Sequence, residues 1–349
     1  MALFNKVTIQ EKKDFVKSLS LIIRSGTPIN EAFDILKKQT TSPVMRDTLG
    51  KAQERLEKGT PIHEVFEQDP NFETVFVSFI KAGEESGTLE ESLNHLADWL
   101  EDKQTLESEI KSATLYPKIV LTFALVLGGS LVFFVLPRLV PIFATLDVDL
   151  PLISQMLLSF SIFVQEQWLN LLLGTIIFFS LLYLLSKVER VKEMFDSFIL
   201  KVPFVGDFVR DHQLAIMSQI IATLFKSGIM VTNILDITED SMPNRTFKKS
   251  IQHIKTKVVK GDPFSAGLKS YPHLYPDVYV TIISTGEKTG SFVDSFRYLA
   301  DFFTSKVTEK TKKIPVILEP LILILIGVIV AFVASAIILP VYQITQGLY

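Results

Sequence analysis

The chain has 349 residues, 48% of them hydrophobic and 11% aromatic, with a mean hydropathy of +0.34. That puts membrane segments first and excludes intrinsic disorder, which needs low hydrophobicity and a large net charge. The formal charge is only −3 and cysteine is absent, so no global electrostatic case for nucleic-acid binding exists, and disulfides, thiolate zinc sites and cysteine nucleophiles are excluded together.

No cleavable signal is expected at the start, which leads directly into a charged amphipathic helix. Thr8-x-x-Glu11 reads as a capping box, with Phe15, Leu19, Ile22 and Ile23 on one face before Gly26 ends the helix. Thr27-Pro28 opens the next as N-cap and first-turn proline, placing Ile29, Ala32, Phe33 and Leu36 inward. Ser42-Pro43 opens a third, with Met45, Leu49, Ala52 and Leu56 inward and Gly59 as terminator. Phe72, Phe76, Phe79 and Ile80 mark a further helix, closed by Gly83. Thr88-x-x-Glu91 is a second capping signal; from Leu89 the helix reads as nearly continuous to Pro117, with Leu93, Leu96 and Leu100 inward. No period-2 strand of convincing length occurs.

Three charge-free stretches follow from here. One of 19 residues lies between Lys118 and Arg138, one of 20 between Glu166 and Lys187, and the last begins after Glu319, apolar from Leu321 to Val341. Each is near the roughly 20 residues that cross a bilayer. Of 35 basic residues, 34 lie in 1–118 or 187–318, Arg138 being the exception, so the positive-inside rule places both large segments in the cytoplasm. The expected organisation is a helical bundle over 1–116, spans at 117–137, 167–186 and 319–342, an external loop at 138–166, a second bundle over 187–318 and an external tail at 343–349. The fold class is an all-α membrane protein with two tandem cytoplasmic six-helix repeats and three transmembrane helices, N-in and C-out.

The second bundle repeats the first. Arg24-Ser25-Gly26 recurs as Lys226-Ser227-Gly228, and Lys58-Gly59-Thr60-Pro61 as Lys260-Gly261-Asp262-Pro263, both 202 residues on. Gly83-Glu84-Glu85-Ser86-Gly87 recurs as Gly286-Glu287-Lys288-Thr289-Gly290 at 203, so one residue is inserted between. Leu89, Leu93, Leu96 and Leu100 match Phe292, Phe296, Leu299 and Phe303, and Pro117 and Pro137 match Pro320 and Pro340 around the first and third spans.

No catalytic constellation is legible. The phosphate-binding Gly-x-x-x-x-Gly-Lys-Ser/Thr is absent. The five histidines show no i,i+4 pair and imply no metal site, and the charge-free spans carry no midplane ionisable group for transport. Neither a cofactor nor a metal is expected. The glycines at 83, 87, 286 and 290 read as tight helix-to-helix turns, with Glu84 and Glu85 as additional partner contacts. Gly327, Ala331 and Ser335, four apart on span three, and Ala124 and Gly128 on span one read either as helix-packing positions or as chance lipid-facing placement. The bundles differ in charge: residues 1–116 hold 14 basic and 20 acidic side chains, residues 187–318 hold 19 and 14. Arg245, Lys248, Lys249, Lys255, Lys257 and Lys260 form a run with no acidic residue between them. It reads as a solvated face, a lipid-attracted face, or a docking surface for an acidic partner such as the first bundle of another protomer.

The ordered set of motifs resembles the type II secretion F / type IV pilus platform family, including the competence platform proteins, over about residues 10–345. The features are Ser25-Gly26 with Ser227-Gly228, the duplicated Gly-Glu-x-x-Gly turn, Tyr116-Pro117 entering span one, and Pro137 with Phe143, Leu150 and Pro151 outside. Lys201-Val202-Pro203-Phe204-Val205-Gly206 and Leu318-Glu319-Pro320-Leu321 complete them. The resemblance implies a non-enzymatic inner-membrane platform that binds a cytoplasmic hexameric ATPase, passes mechanical work to pilin or pseudopilin subunits, works beside other inner-membrane assembly proteins and forms a homo-oligomer. A three-span channel or transporter subunit is the alternative.

Overall fold

The computed structural model describes residues 6–130, 166–185 and 188–346, with positions 134, 155, 156, 159, 162 and 163 between the first two stretches. Among these residues every regular element is an α-helix. Pro137, Arg138, Phe143, Leu150, Pro151 and most of the expected external loop lie outside the described residues.

Six helices form copy one: α1 (Ile9–Arg24), α2 (Ile29–Gln39), α3 (Pro43–Leu56), α4 (Ile62–Glu67), α5 (Thr74–Ser86) and α6 (Leu89–Ser130). Then come α7 (Trp168–Leu185) and α8 (Glu189–Ile199). Copy two is α9 (Val205–Lys226), α10 (Val231–Ser241), α11 (Arg245–Val259), α12 (Phe264–Leu268), α13 (Asp277–Thr289) and α14 (Phe292–Gln346). Helix α8 is additional to the six expected in 187–318. The inserted residue falls between α12 and α13, where the link is 269–276 against 68–73 in copy one.

The capping chemistry explains most helix starts. Thr8 accepts from the Glu11 N–H while Glu11 accepts from the Thr8 N–H, closing the box at the head of α1. Ser42 accepts from the Met45 N–H at the head of α3, with Pro43 as the first helical residue. Two starts are corrected. Pro28 itself, not Thr27, is the cap residue of α2, with extended backbone and no side-chain cap bond. The Thr88 hydroxyl pairs with the Ser86 hydroxyl at 2.6 Å, so the turn before α6 is closed by two hydroxyls, as Thr289 and Ser291 do before α14.

Helix ends repeat between copies. Gly26, Gly59 and Gly87 have left-handed backbone, and so do Gly228, Gly261 and Gly290, the conformation glycine adopts without Cβ strain. Gly83 and Gly286 differ from that expectation: α5 and α13 run through them for one more turn. A Cβ on Gly83 would lie 2.6 Å from Ser92 Cβ and 2.9 Å from Leu89 Cα, and one on Gly286 would lie 2.8 Å from Ser295 Cβ and 3.0 Å from the Ser291 carbonyl. These two residues allow close packing of one helix on the next and do not terminate anything.

Residues 1–109 and 193–309 form one compact unit. Its core in copy one is phenylalanine-rich, with Phe15, Phe33, Phe66, Phe72 and Phe76 in mutual ring contact. Copy two instead buries Tyr275 and Tyr279, whose hydroxyls bond Ser250 at 2.6 Å and Ser218 at 2.9 Å; burial pushes both phenols above their ordinary range despite those hydrogen bonds. Helix α8 is tied to this unit through Asp196, which accepts from the Arg245 N–H at 2.9 Å and, through its carbonyl, from Asn244 Nδ2 at 3.3 Å. Its Met194, Phe195 and Phe198 remain exposed.

Residues 110–192 and 310–349 form the second unit. Its described surface is apolar: Ile119, Phe123, Leu125, Phe178, Phe179, Leu323 and Ile324 are exposed, the opposite of a water-soluble bundle and the pattern of side chains facing lipid. Among the described residues α6 is long and apolar enough to cross a membrane, and α7 carries a shorter apolar stretch, Trp168–Leu181.

Candidate functional site

Glu84 is not a free surface carboxylate. It projects from α5 to the start of the short helix α4, accepting from the Ile62 N–H at 2.9 Å and the His63 N–H at 3.2 Å, with His63 Nδ1 at 2.6 Å. Glu287 does the same in copy two, accepting from the Phe264 N–H at 2.5 Å and the Ser265 N–H at 3.1 Å. In both copies a proline, Pro61 or Pro263, occupies the cap position and has no side-chain acceptor. A carboxylate from a distant helix therefore supplies the cap that the local sequence lacks. Partial burial works against the Glu84 charge, but the hydrogen bonds from His63 and the two N–H groups outweigh it and hold the carboxyl below the usual carboxylate range. Glu84 as a partner contact is thus corrected: its oxygens are occupied at home. Glu85 stays exposed, with Lys81 at 4.0 Å one turn back.

The basic run lies on α11 and its C-terminal cap. Asn244 opens the helix by accepting from the Thr246 and Phe247 N–H groups. Lys248 pairs with Asp240 at 2.9 Å, Lys249 with Glu193 at 2.5 Å, and Lys255 with Asp236. Lys257 donates to Ser270 Oγ at 2.8 Å, and Lys260 is the cap residue. The run lacks acidic residues only along the sequence; α8 and α10 bring the counter-charges to it.

The two copies meet along a line that no sequence motif marks. Helix α10 packs on α5. A cleft of about 480 Å³ is lined from copy one by Val75, Trp99 and Lys103 and from copy two by Ile216, Ile220 and Pro243. Next to it a cleft of about 320 Å³ is lined by Asp98, Asp102 and Glu109 against Gln219, Arg297 and Asp301. Gln219 hydrogen-bonds Asp102, and Thr308 donates to Glu109. Enclosure in the cleft raises the Asp102 carboxyl above its ordinary range, the Gln219 bond opposing and Asp98 and Asp301 adding to the rise. Beside the first cleft, Glu73 accepts from Lys103 at 2.9 Å and faces Lys12 at 3.3 Å. Burial opposes the charge on both, yet two cations hold Glu73 low while Lys12, only 7% exposed, is itself depressed by desolvation.

Of the remaining sequence-selected residues, Tyr116 and Pro117 lie inside α6, and Glu319, Pro320, Gly327, Ala331 and Ser335 all lie inside α14. Neither proline breaks its helix, although each withholds one backbone donor. Among the described residues no cluster of His, Asp and Glu is disposed to hold a metal ion.

A duplicated helical bundle that runs into helices with an apolar described surface is the architecture of a helical membrane protein. The family model of type II secretion system protein F matches residues 15–137 and again 217–340, and the chain belongs to that family. It is 28% identical to the type IV pilus assembly protein TapC of Aeromonas hydrophila over 330 residues, 94% of this chain and 79% of that protein. It is 28% identical to the type IV pilus assembly protein PilC of Thermus thermophilus over 95% of this chain and 81% of the relative. To the type II secretion system protein F of Vibrio cholerae it is 25% identical, over 94% and 80%.

Proposed function

We propose that this chain is the inner-membrane platform of a type IV pilus, type II secretion or competence pilus machine. In this reading it couples a cytoplasmic hexameric ATPase to the assembly of pilin or pseudopilin subunits, as a homo-oligomer beside other inner-membrane assembly proteins and without chemistry of its own. The observation that carries it is the family match to both copies in order, to relatives that assemble pili and secretion systems.

The helices support a mechanical role. The chain passes from the first unit to the second inside α6 and inside α14 with no break in either helix, so load on a bundle reaches an apolar segment through continuous backbone. Three spans, with both copies cytoplasmic, complete the proposal; the distribution of Lys and Arg supports it. The basic face of α11 is the proposed contact for an acidic partner, presented on a helix whose lysines are held by neighbouring carboxylates.

Deleting the gene should abolish surface pili or secretion, and the intact chain should restore them; normal assembly in the deletion strain ends the reading. Topology is tested on the naturally cysteine-free chain. Asp149→Cys should react with an impermeant thiol reagent in spheroplasts, while Ser86→Cys and Thr289→Cys should react only after lysis. Labelling of Thr289→Cys in sealed spheroplasts overturns the cytoplasmic assignment of copy two.

A further inference from the structure

The repeat allows each surface to be compared with its own equivalent. Helix α5 of copy one packs on α10 of copy two, and Trp99 and Lys103 of α6 line a cleft with Ile216 and Ile220 of α9, while no comparable packing joins α2 to α13. The contact is therefore head-to-tail, and such a contact uses two different patches and leaves one of each unused. On α14 the residues Arg297, Asp301 and Thr308 already meet α6 of copy one, so the unused patches are the side of α13 and α14 that carries Val278, Tyr298, Phe302 and Lys306 and the α1–α3 face of copy one.

Their exposure agrees. Val75 and Trp99 of copy one are 1% and 5% exposed, whereas their equivalents are open: Val278 is 42% exposed and Phe302 half-buried, beside Tyr298 at 56%. On copy one, an open groove of about 280 Å³ is lined by Glu11, Asp14, Ser18, Leu36, Gln39 and Thr41. It occupies the position at which copy two receives copy one.

The chemistry of the two patches is complementary. Where copy two has Ile216 and Ile220, the groove has Asp14 and Ser18. Asp14 is bonded to the Gln10 amide and has no cation within 4.0 Å among the described residues. Lys306 is the equivalent of Lys103, but Pro276 stands where Glu73 would be. Lys306 therefore lies over the Phe302 and Phe303 rings, 4.7 and 5.3 Å from their centroids, with no carboxylate within 4.0 Å among the described residues. In the internal contact Lys103 and Ile216 line one cleft, so the same contact made with the unused patches would bring Lys306 to Asp14.

We propose that the α13–α14 face of copy two docks into the α1–α3 groove of copy one on a second copy of this chain, repeating between chains the contact that joins the copies within one. The proposal deepens the homo-oligomer reading above and rests on it. One chain cannot satisfy both patches, because its two copies are already joined through the other pair of faces. The contact between chains is more polar than the internal one, an acidic groove receiving an apolar face with a lysine at its edge, which suits an interface that forms and releases.

The test uses the full chain in membranes, with single cysteines and a short bifunctional thiol reagent. Val75→Cys with Ile220→Cys in one chain checks the internal contact and should crosslink within that chain. Chains carrying Ser18→Cys and chains carrying Val278→Cys, differently tagged and co-expressed, should give a doubly tagged product about tenfold above Lys58→Cys with Val278→Cys. Asp14→Lys should lower the yield about tenfold, and Lys306→Asp on the other chain should restore it. Equal yields from Ser18→Cys chains alone or Val278→Cys chains alone would show association through another face and overturn the proposal while sparing the oligomer. Absence of every crosslink between chains overturns the oligomer as well, and absence of the internal product removes the contact from which the proposal is drawn.

Discussion

Copies one and two have the same six helices but bury different things. Copy one packs five phenylalanines and keeps an ion pair of Lys12 with Glu73 at its margin; copy two places Leu214 and Pro276 at those positions and packs two hydroxyl-bonded tyrosines. What survives between them is backbone logic: three left-handed glycines, one packing glycine, and one glutamate that caps a remote helix in each. What diverged is the outer face of the first helix, acidic in one and aliphatic in the other. The shared features determine how a copy folds, and the divergent ones determine which of its faces is covered.

The strongest way to break that comparison is at the packing glycines. Gly83→Ala should destabilise the protein by about 2 kcal/mol or more, because the new methyl meets backbone at Leu89 as well as Ser92. In an open helix the same change stabilises by up to about 1 kcal/mol, so the sign in a melting experiment decides the matter. Gly286→Ala should behave alike.

Next come the remote caps. Glu84→Ala and Glu287→Ala should each cost roughly 1–2 kcal/mol, whereas Glu85→Ala should stay within about 0.5 kcal/mol. The carboxyl of Glu84 is lowered on folding, so its contribution is present above the unfolded carboxylate range and is lost as pH falls through the folded value. Acid unfolding curves of Glu84→Gln should accordingly be flatter than those of the parent.

Gly26→Ala and Gly228→Ala sharpen the distinction between two kinds of glycine. Nothing lies within 4 Å of an added Cβ at either, so only the left-handed backbone is strained, at about 1 kcal/mol. Gly26→Asn, which tolerates that conformation, should recover part of the loss in the same melting assay. The smallest effect belongs to the basic helix. Removing Lys248, Lys249 or Lys255 singly should change stability by about 0–1 kcal/mol, since these pairs are largely exposed; a larger loss in denaturant titration would mean that they hold α8 and α10 in place.

The repeat, the all-helical character, and the ends at Gly26, Gly59, Gly228 and Gly261 were legible because caps and left-handed glycines act locally. A helix end is ambiguous in sequence where two glycines stand four apart. In Gly83-Glu84-Glu85-Ser86-Gly87 either could end the helix, and only the approach of Ser92 distinguishes them. Glu84 and Glu287 stand out as a motif, but Glu84 reads as a partner contact and neither reads as a cap, because their targets lie 22 and 23 residues upstream. A signal was present: in each copy a proline opens a short helix, and a proline cannot cap it with a side chain. The contact between copies also left a trace, in that Asp14 and Ser18 become Ile216 and Ile220, but periodicity within one helix does not reveal which partner an aliphatic face has.

Helix α8 sets a constraint on anyone preparing copy two as a water-soluble fragment. A fragment that begins at residue 190 keeps the acceptors of Asp196 for Asn244 and Arg245, but carries Met194, Phe195 and Phe198 bare to solvent. One that begins at 205 sheds that greasy edge but leaves the Arg245 N–H at the head of α11 without Asp196 and Lys249 without Glu193. The first choice trades monodispersity for order and the second trades order for monodispersity, so detergent belongs in the buffer with the longer fragment from the outset.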